Sequence, residues 1–460
     1  MIRVALVSVN HDWRDPAYPI GLVILATYIK NRMPGIHVAI LDPNFENIED
    51  RAAGFDIVGV TAMTSDYTRA TRYAETIKKR FDVPTVVGGV HISTLPTSLA
   101  KCFDVGVVGE GEETFLELLE IFNQHGSLSG DKIASVKGIV YHGQDGLIQT
   151  ERRKQISLDD TLLPDWSLIN RAYFDRRPTV AWADSVREMH ILTARGCPYD
   201  CIFCSTTQMW ERNIRFHSAE YVAATIEQLA KSYGVTHIQV YDDLFAVNLN
   251  RLKEIARLLD ERDLAGRVKI FCSVRANLVN DALCEALAAL NVKMVFFGFE
   301  SGNNRVLRLL KGGNVSVEQN RIAIKTCVKH GLAVHGSVIF GSPGESLEEM
   351  HDTLRFIDYA YREGAWRILG FVMTPYPKTK VWEIAKERGR VSEDMDWEIL
   401  TQIDERNPLL LDDSIPQEEF GRIMAGFHRK ERKFQARKVM LFIRNSPLGL
   451  LRYIWERVGG

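Results

Sequence analysis

The sequence predicts an α/β protein made of two successive strand–helix series followed by a helical tail. Short apolar runs alternate with helix-period patterns up to about residue 125, and again between about residues 187 and 390. Most of these runs are apolar at successive positions, as strands must be when helices cover both faces of a parallel sheet. The helical segments between the later runs, about 10 to 18 residues each, fit parallel crossovers.

In the first series, residues 2–9, 37–42, 56–62, 83–89 and 104–110 read as strands, and about 21–32, 65–80 and 112–123 as helices. The first of these lacks the apolar core and cleavage site of a secretory signal. Small and polar residues gather where strands end, in Thr61-Ala-Met-Thr64, Gly88-Gly-Val-His91 and Gly109-Glu-Gly-Glu112. Ligands of parallel sheets bind beyond those ends, and glycine there lets backbone approach a bulky ligand. The same residues also suit tight strand-to-helix turns, with Glu112 and Glu113 favoured by a helix dipole.

Residues 126–186 read as a linker, with turn-rich Tyr141-His-Gly-Gln-Asp-Gly146. The second series opens with a strand over 191–195 that runs into Arg195-Gly-Cys-Pro-Tyr-Asp-Cys-Ile-Phe-Cys204. Further strands are expected at 237–242, 269–275, 293–300, 333–341 and 367–373. Cys197, Cys201 and Cys204 are close enough in sequence for one metal centre to hold all three. On a four-iron cube, three thiolates leave one iron open to another molecule, and an open metal position points to chemistry. Half of a structural zinc site and unpaired core thiols are the competing readings, but neither His190 nor His217 completes a zinc pattern. The other cysteines (Cys102, Cys272, Cys284, Cys327) are scattered, which suits a reducing cytoplasm better than a disulfide framework.

With 460 residues and a formal net charge of −2, the chain lacks the broad basic footprint of a nucleic-acid binder. No apolar run approaches the ~20 residues that span a bilayer. Residues 391–460 form the tail, with a basic run His428-Arg-Lys-Glu-Arg-Lys433 and helix signals around Asn445-Ser-Pro447. This tail reads either as a cap on the second series or as a basic surface for weak contact with a membrane.

The cysteine spacing, with Phe203 just before the last cysteine, resembles the signature of the radical S-adenosylmethionine (SAM) superfamily. The resemblance implies that residues 187–390 form a partial (β/α)6 barrel, reactive at the carboxyl ends of its strands. It implies a [4Fe-4S] cluster on Cys197, Cys201 and Cys204, with SAM on the open iron. The SAM contacts it implies are Phe203, Asp242 and Asp243 after the second strand, Arg275 after the third, Glu300 and Ser301 in Gly298-Phe-Glu-Ser-Gly302, and Phe340 and Gly341 in the glycine-rich fifth strand. Leu162-Leu-Pro-Asp-Trp166 resembles the bridge before the cluster loop. Met373-Thr-Pro-Tyr-Pro-Lys-Thr379 resembles a family turn with Lys378 replacing glycine, a cation near the substrate entrance or a simple turn variant.

Residues 1–125, through Tyr18-Pro-Ile-Gly-Leu22, Asp56-Ile-Val-Gly-Val60, Val87-Gly-Gly-Val-His91 and Val108-Gly-Glu-Gly-Glu112, resemble the Rossmann-like, doubly wound cobalamin (B12)-binding domain found ahead of many radical SAM enzymes. Thr61, Thr64, Gly88, Gly89, His91, Gly109, Glu110 and Gly111 are the cobalamin candidates that follow from this resemblance. The Asp-x-His-x-x-Gly loop of the cobalamin mutases is absent, and Asn10-His-Asp-Trp13 lies near the right strand end with a different pattern. The combined resemblance implies a soluble enzyme that cleaves SAM, takes hydrogen from a small molecule and, where cobalamin is present, methylates the resulting carbon. It also implies a flavodoxin- or ferredoxin-type electron donor. A sugar dehydratase of the aminoglycoside type, a cyclase and a non-catalytic iron-sulfur or cobalamin carrier remain as alternatives.

Overall fold

A computed structural model describes residues 2–9, 18–175, 186–400, 409–411 and 415–445. Asn10–Trp13 and residues 446–460, which hold part of the expected tail, lie outside them.

The first series forms a sheet of five parallel strands, β1 (Arg3–Ser8), β2 (His37–Leu41), β3 (Ile57–Thr61), β4 (Thr85–Gly88) and β5 (Val105–Val107), in the order β2-β1-β3-β4-β5. Helices Ile20–Arg32 and Tyr67–Phe81 connect β1 to β2 and β3 to β4, short helices Ile48–Arg51 and Val90–Thr94 lie in the other two connections, and helix Glu112–His125 follows β5. Strand order reverses direction between β1 and β3, which opens a crevice at their carboxyl ends. The sheet continues into the stretch expected as a linker. There β6 (Ile139–Gly143) and β7 (Gly146–Gln149) form a hairpin whose first strand pairs antiparallel with β5. Strand β6 buries Ile139, Val140 and Tyr141 while β7 is exposed throughout, so the turn-rich sequence masked a sheet-edge hairpin.

The second series gives six strands, β8 (Glu188–Ile191), β11 (His237–Val240), β12 (Lys269–Ser273), β13 (Val292–Glu300), β14 (Ala333–Phe340) and β15 (Arg367–Val372), paired in that spatial order and parallel. The strand expected over 191–195 is broken. Asp242, just past β11, accepts hydrogen bonds from the amides of Thr193 (2.6 Å) and Ala194 (3.0 Å) and turns the chain out of the sheet. Residues Ala194–Gly196 then form β9, antiparallel to β10 (Ile214–Phe216), a ribbon the sequence reading missed.

The two series share apolar packing. Ala5, Val7 and Ile92 of the first lie in one cluster with Val306, Leu310, Val381 and Trp382 of the second. The helix Gln417–Asn445 lays Phe420, Ile423, Met424 and Phe427 against the barrel and stacks Phe434 on Tyr361, so its described part caps the second series. No helix among the described residues is long and apolar enough to cross a membrane.

Candidate functional site

The cysteine loop is fixed before the first cysteine. Gly196 adopts φ +97°, and a Cβ there would lie 2.0 Å from the Asn213 carbonyl oxygen, so this ribbon position excludes every side chain. Arg251 donates to the Thr193 carbonyl at 2.8 Å, adding to the grip of Asp242. Beyond this anchor, Cys197, Cys201 and Cys204 are half-buried free thiols that line a cavity of about 400 Å³ at the carboxyl end of the barrel strands.

Among the described residues, no three His, Cys, Asp or Glu side chains converge as the ligands of a single ion would. The three thiols line one cavity, which suits a multi-iron cluster in which each thiolate takes a different iron. Arg275 donates to Cys201 Sγ at 3.5 Å and stacks over the Tyr199 ring at 3.7 Å, which brings positive charge to the thiols. Burial pushes the Cys197 thiol up to about 11 and raises that of Cys204, so metal binding must displace their protons.

Asp243, Glu300, Lys311, His335 and Ser337 also line this cavity. Asp243 accepts from the Gly196 amide (3.2 Å) and the Thr206 hydroxyl (3.0 Å), and burial raises its pKa. Glu300, at φ +59°, leaves the regular strand conformation and lines the cavity, where Lys311 Nζ reaches its Oε1 at 3.2 Å and the Gly298 carbonyl at 2.6 Å. Both side chains are almost wholly buried. His335 and Ser337 line the cavity as alternate residues of β14, a polar pair at strand period that sequence reasoning passed over. Burial pushes His335 down to about 4.

Phe203, Asp243, Arg275 and Glu300 thus meet at the cavity, whereas four other expected SAM contacts do not line it. The Asp242 carboxylate is engaged by Thr193 and Ala194. Ser301 is fully buried, accepting from the Asn303 amide and bonded to Thr353. Phe340 packs against Phe427, and a Cβ on Gly341 would meet Phe420, so both lie beneath the C-terminal helix. Lys378 is exposed and lines neither cavity described here.

A second cavity, of about 650 Å³, lies between the two series. Thr61, Thr64, Gly88, Gly89, Gly109, Glu110 and Gly111 all line it, with Leu22, Leu25 and Val107 on the first-series side. Bare backbone at the glycines and apolar side chains elsewhere suit a broad flat ligand edged by amides, as a corrin is. Gly89 is locked into this shape: at φ +100° its missing Cβ would lie 2.7 Å from the Ala62 carbonyl oxygen. Across the cavity stand Trp210, Tyr241 and Tyr376, which sequence patterns left unassigned to it.

His91 is a correction. It is fully buried, stacks on Tyr67 with ring centroids 3.9 Å apart, bonds Ser98 Oγ through Nε2 at 2.9 Å, and is pushed down to about 3 by burial. Its place behind Gly89 turns its ring into the core and away from the strand-end cavity. Glu110 lines the cavity, yet its carboxylate is held by Arg195, by Arg215 and by the Ile156 amide. The two cavities share Phe203, Cys204 and Asp243, so the cysteine loop is a common wall.

Comparison with known proteins follows this division. The model of the radical SAM superfamily matches residues 191–357 and that of the B12 binding domain matches residues 3–119. An uncharacterized methyltransferase of Pyrococcus horikoshii is 30% identical over 401 residues, covering 84% of this chain and 82% of its own. Bacteriochlorophyllide d C-8(2)-methyltransferase of Chlorobaculum tepidum is 25% identical, covering 86% and 83%. The anaerobic magnesium-protoporphyrin IX monomethyl ester cyclase of Rubrivivax gelatinosus is 27% identical, covering 81% and 65%. Among solved structures, the radical SAM methyltransferase TsrM of Kitasatospora setae, with cobalamin and a [4Fe-4S] cluster bound, superposes with a TM-score of 0.69 at 21% identity, covering 92% of this chain and 82% of that one.

Proposed function

The chain belongs to the radical SAM superfamily and carries a B12 binding domain ahead of its radical SAM domain, and from this premise we propose that it is a cobalamin-dependent C-methyltransferase acting on a small molecule. One observation carries the reading: the two cavities meet at Phe203, Cys204 and Asp243, so groups bound on either side of the cysteine loop face one reaction space. The methyltransferase names of its relatives from Pyrococcus and Chlorobaculum support it.

When bound, the reduced cluster supplies one electron for SAM cleavage and the corrinoid supplies a methyl carrier. The chain's own tasks are binding, orientation and exclusion of water. Cys197, Cys201 and Cys204 would hold the cluster, and Arg275 offsets the charge of their thiolates. Lys311 and Glu300 form a buried ion pair at the same cavity, suited to the ammonium and carboxylate groups of an amino acid. The Gly88–Gly89 and Gly109–Gly111 backbones would seat the corrinoid. Trp210, Tyr241 and Tyr376 line the reaction space with rings, which suits a largely apolar or planar acceptor.

Ring closure is the second reading, favoured by the Rubrivivax cyclase relative, which matches 81% of this chain. We assign the electron to a flavodoxin- or ferredoxin-type donor and the protein to the cytoplasm, where its seven free thiols stay reduced. Arg429, Arg432, Lys433 and Arg437 expose a basic face of the C-terminal helix, proposed to make weak contact with an anionic membrane. Sedimentation with phosphatidylglycerol vesicles tests this, and no binding at low salt would retire it.

The central test is anaerobic reconstitution with iron, sulfide and hydroxocobalamin, followed by desalting and assay of bound cobalt and of 5'-deoxyadenosine released from SAM. Methylation requires that both be found. SAM cleavage without retained cobalt would replace methyl transfer by a corrinoid-independent reaction.

A further inference from the structure

The cysteine motif begins with an arginine whose partners lie 85 and 83 residues earlier in the chain. Arg195 Nη1 donates to Glu110 Oε1 at 2.5 Å and Nη2 to Glu112 Oε1 at 2.6 Å, so one guanidinium grips two carboxylates of the Gly109-Glu-Gly-Glu112 strand end. Arg215, on the paired strand β10, donates to the same Glu110 at 2.7 Å. Side-chain exposures of 9% for Arg195, 6% for Glu110 and 7% for Glu112 put this network out of water. Burial opposes ionisation of Glu110, but hydrogen bonds from Arg215 and the charge of Arg195 hold its carboxyl below the usual range. The ions are therefore paired in the native state.

The position of this network matters more than its strength. Glu110 and Glu112 end the β5 segment that walls the corrinoid-sized cavity, and Glu112 begins the helix Glu112–His125. Arg195 and Arg215 face one another across the β9–β10 ribbon, and Arg195 stands two residues before Cys197. A buried pair removed as a unit costs little stability, whereas loss of one member alone leaves an uncompensated charge. Its use is better sought in geometry.

We propose that Arg195 is a positioning residue, a latch that fixes the cysteine loop at one distance from the first-domain strand ends and so sets the separation of the two cofactor sites. This deepens and rests on the reading of two cofactors given above. It assigns Glu110 and Glu112 to the latch and leaves the glycines to meet the corrinoid. Arg195, Glu110 and Glu112 all line the inter-domain cavity, and the role proposed for them there is to hold its geometry.

The test uses the reconstituted holoenzyme and two variants. Arg195→Met leaves Glu112 without the partner described here. The double variant Arg195→Met/Glu112→Gln removes the charge on both sides and keeps the Glu110–Arg215 pair, so it separates lost geometry from failed folding. The readout is the distance distribution between the paramagnetic corrinoid cobalt and the reduced cluster, measured by pulsed EPR. The wild type is expected to give one narrow distribution. The double variant is expected to keep its iron, sulfide and cobalt content while that distribution widens or shifts.

Hydrogen exchange, which needs no corrinoid, is followed on the same proteins. In the double variant, amides of 108–112 and of the β9–β10 ribbon should exchange about tenfold faster, with β12–β14 unchanged. A wild type that retains no cobalt but shows this exchange pattern between the two proteins would refute methyl transfer and leave the latch standing. Unchanged exchange together with an unchanged distance distribution would overturn the latch.

Discussion

The two cavities are built by opposite means. The barrel cavity is made of side-chain chemistry, with three thiols, Arg275, Glu300, Lys311 and Asp243 facing a space of about 400 Å³. The inter-domain cavity, about 650 Å³, is made mainly of bare backbone and apolar side chains, and the Arg195 charge at its rim is paired with Glu110 and Glu112. The difference matches the tasks proposed for them. A cluster and a zwitterionic ligand require fixed charges, whereas a corrinoid, already carrying its own macrocycle, requires a surface that does not obstruct it. Damage to the two cavities should therefore have separable consequences.

The largest effect is expected at the thiols. Cys197→Ala, Cys201→Ala or Cys204→Ala should reduce 5'-deoxyadenosine release to background while cobalt retention persists. Cleavage surviving with an intact cluster would break the assignment, and loss of cobalt as well would mean that the cavities do not act separately. Next comes the buried pair. Lys311→Met takes from Glu300 its ion-pair partner in the barrel, with an expected loss of about 3–5 kcal/mol in stability by chemical denaturation. SAM binding, followed by equilibrium dialysis, should weaken with it, and unchanged affinity would remove the pair from the SAM site.

On the backbone side, Gly89→Ala forces a Cβ to within 2.7 Å of the Ala62 carbonyl at φ +100°, with an expected cost of about 1–3 kcal/mol. Corrinoid retention should fall while iron content stays at the wild-type level. Equal loss of iron would show that the two cavities are not independent.

The smallest effect concerns pH. His91 is held neutral by burial, with its pKa lowered from 6.5 to about 3. Its stabilising contribution is complete above 6.5 and is lost as pH falls toward 3, because the unfolded chain takes up a proton that the folded one refuses. Each such group adds about 1.4 kcal/mol per pH unit to the slope of unfolding free energy in that window. His91→Phe keeps the ring stack on Tyr67 and should reduce the slope by one proton between about pH 4 and 6. An unaltered slope would mean that His91 titrates in the folded protein, against its place in the core.

The same contrast explains what the sequence made legible. Strand ends and the cysteine spacing are local patterns, so five parallel strands and five of the six barrel strands could be read directly, while the first barrel strand, expected over 191–195, lies at Glu188–Ile191. Orientation could not. Asp242 and Asp243 are neighbours of like chemistry just past β11, yet one pins Thr193 and the other faces the cavity. Lys311 sits at a helix end and reaches Glu300 only through tertiary packing, with no motif to announce it. His91 follows two glycines as a ligand would, but its short helix Val90–Thr94 turns it onto Tyr67. The Arg195 latch spans more than 80 residues and belongs to no local pattern.

The most direct measurement follows the methyl group of SAM itself. Holoenzyme reconstituted with cluster and cobalamin is reduced with trideuteromethyl-SAM in an extract of small molecules, and the extract is searched by mass spectrometry. The account predicts acceptor molecules carrying the labelled methyl on carbon, formed only when cobalamin has been retained and abolished by Cys201→Ala. Release of 5'-deoxyadenosine with cobalamin bound and a substrate consumed, but with no labelled methyl on any carbon product, would contradict it.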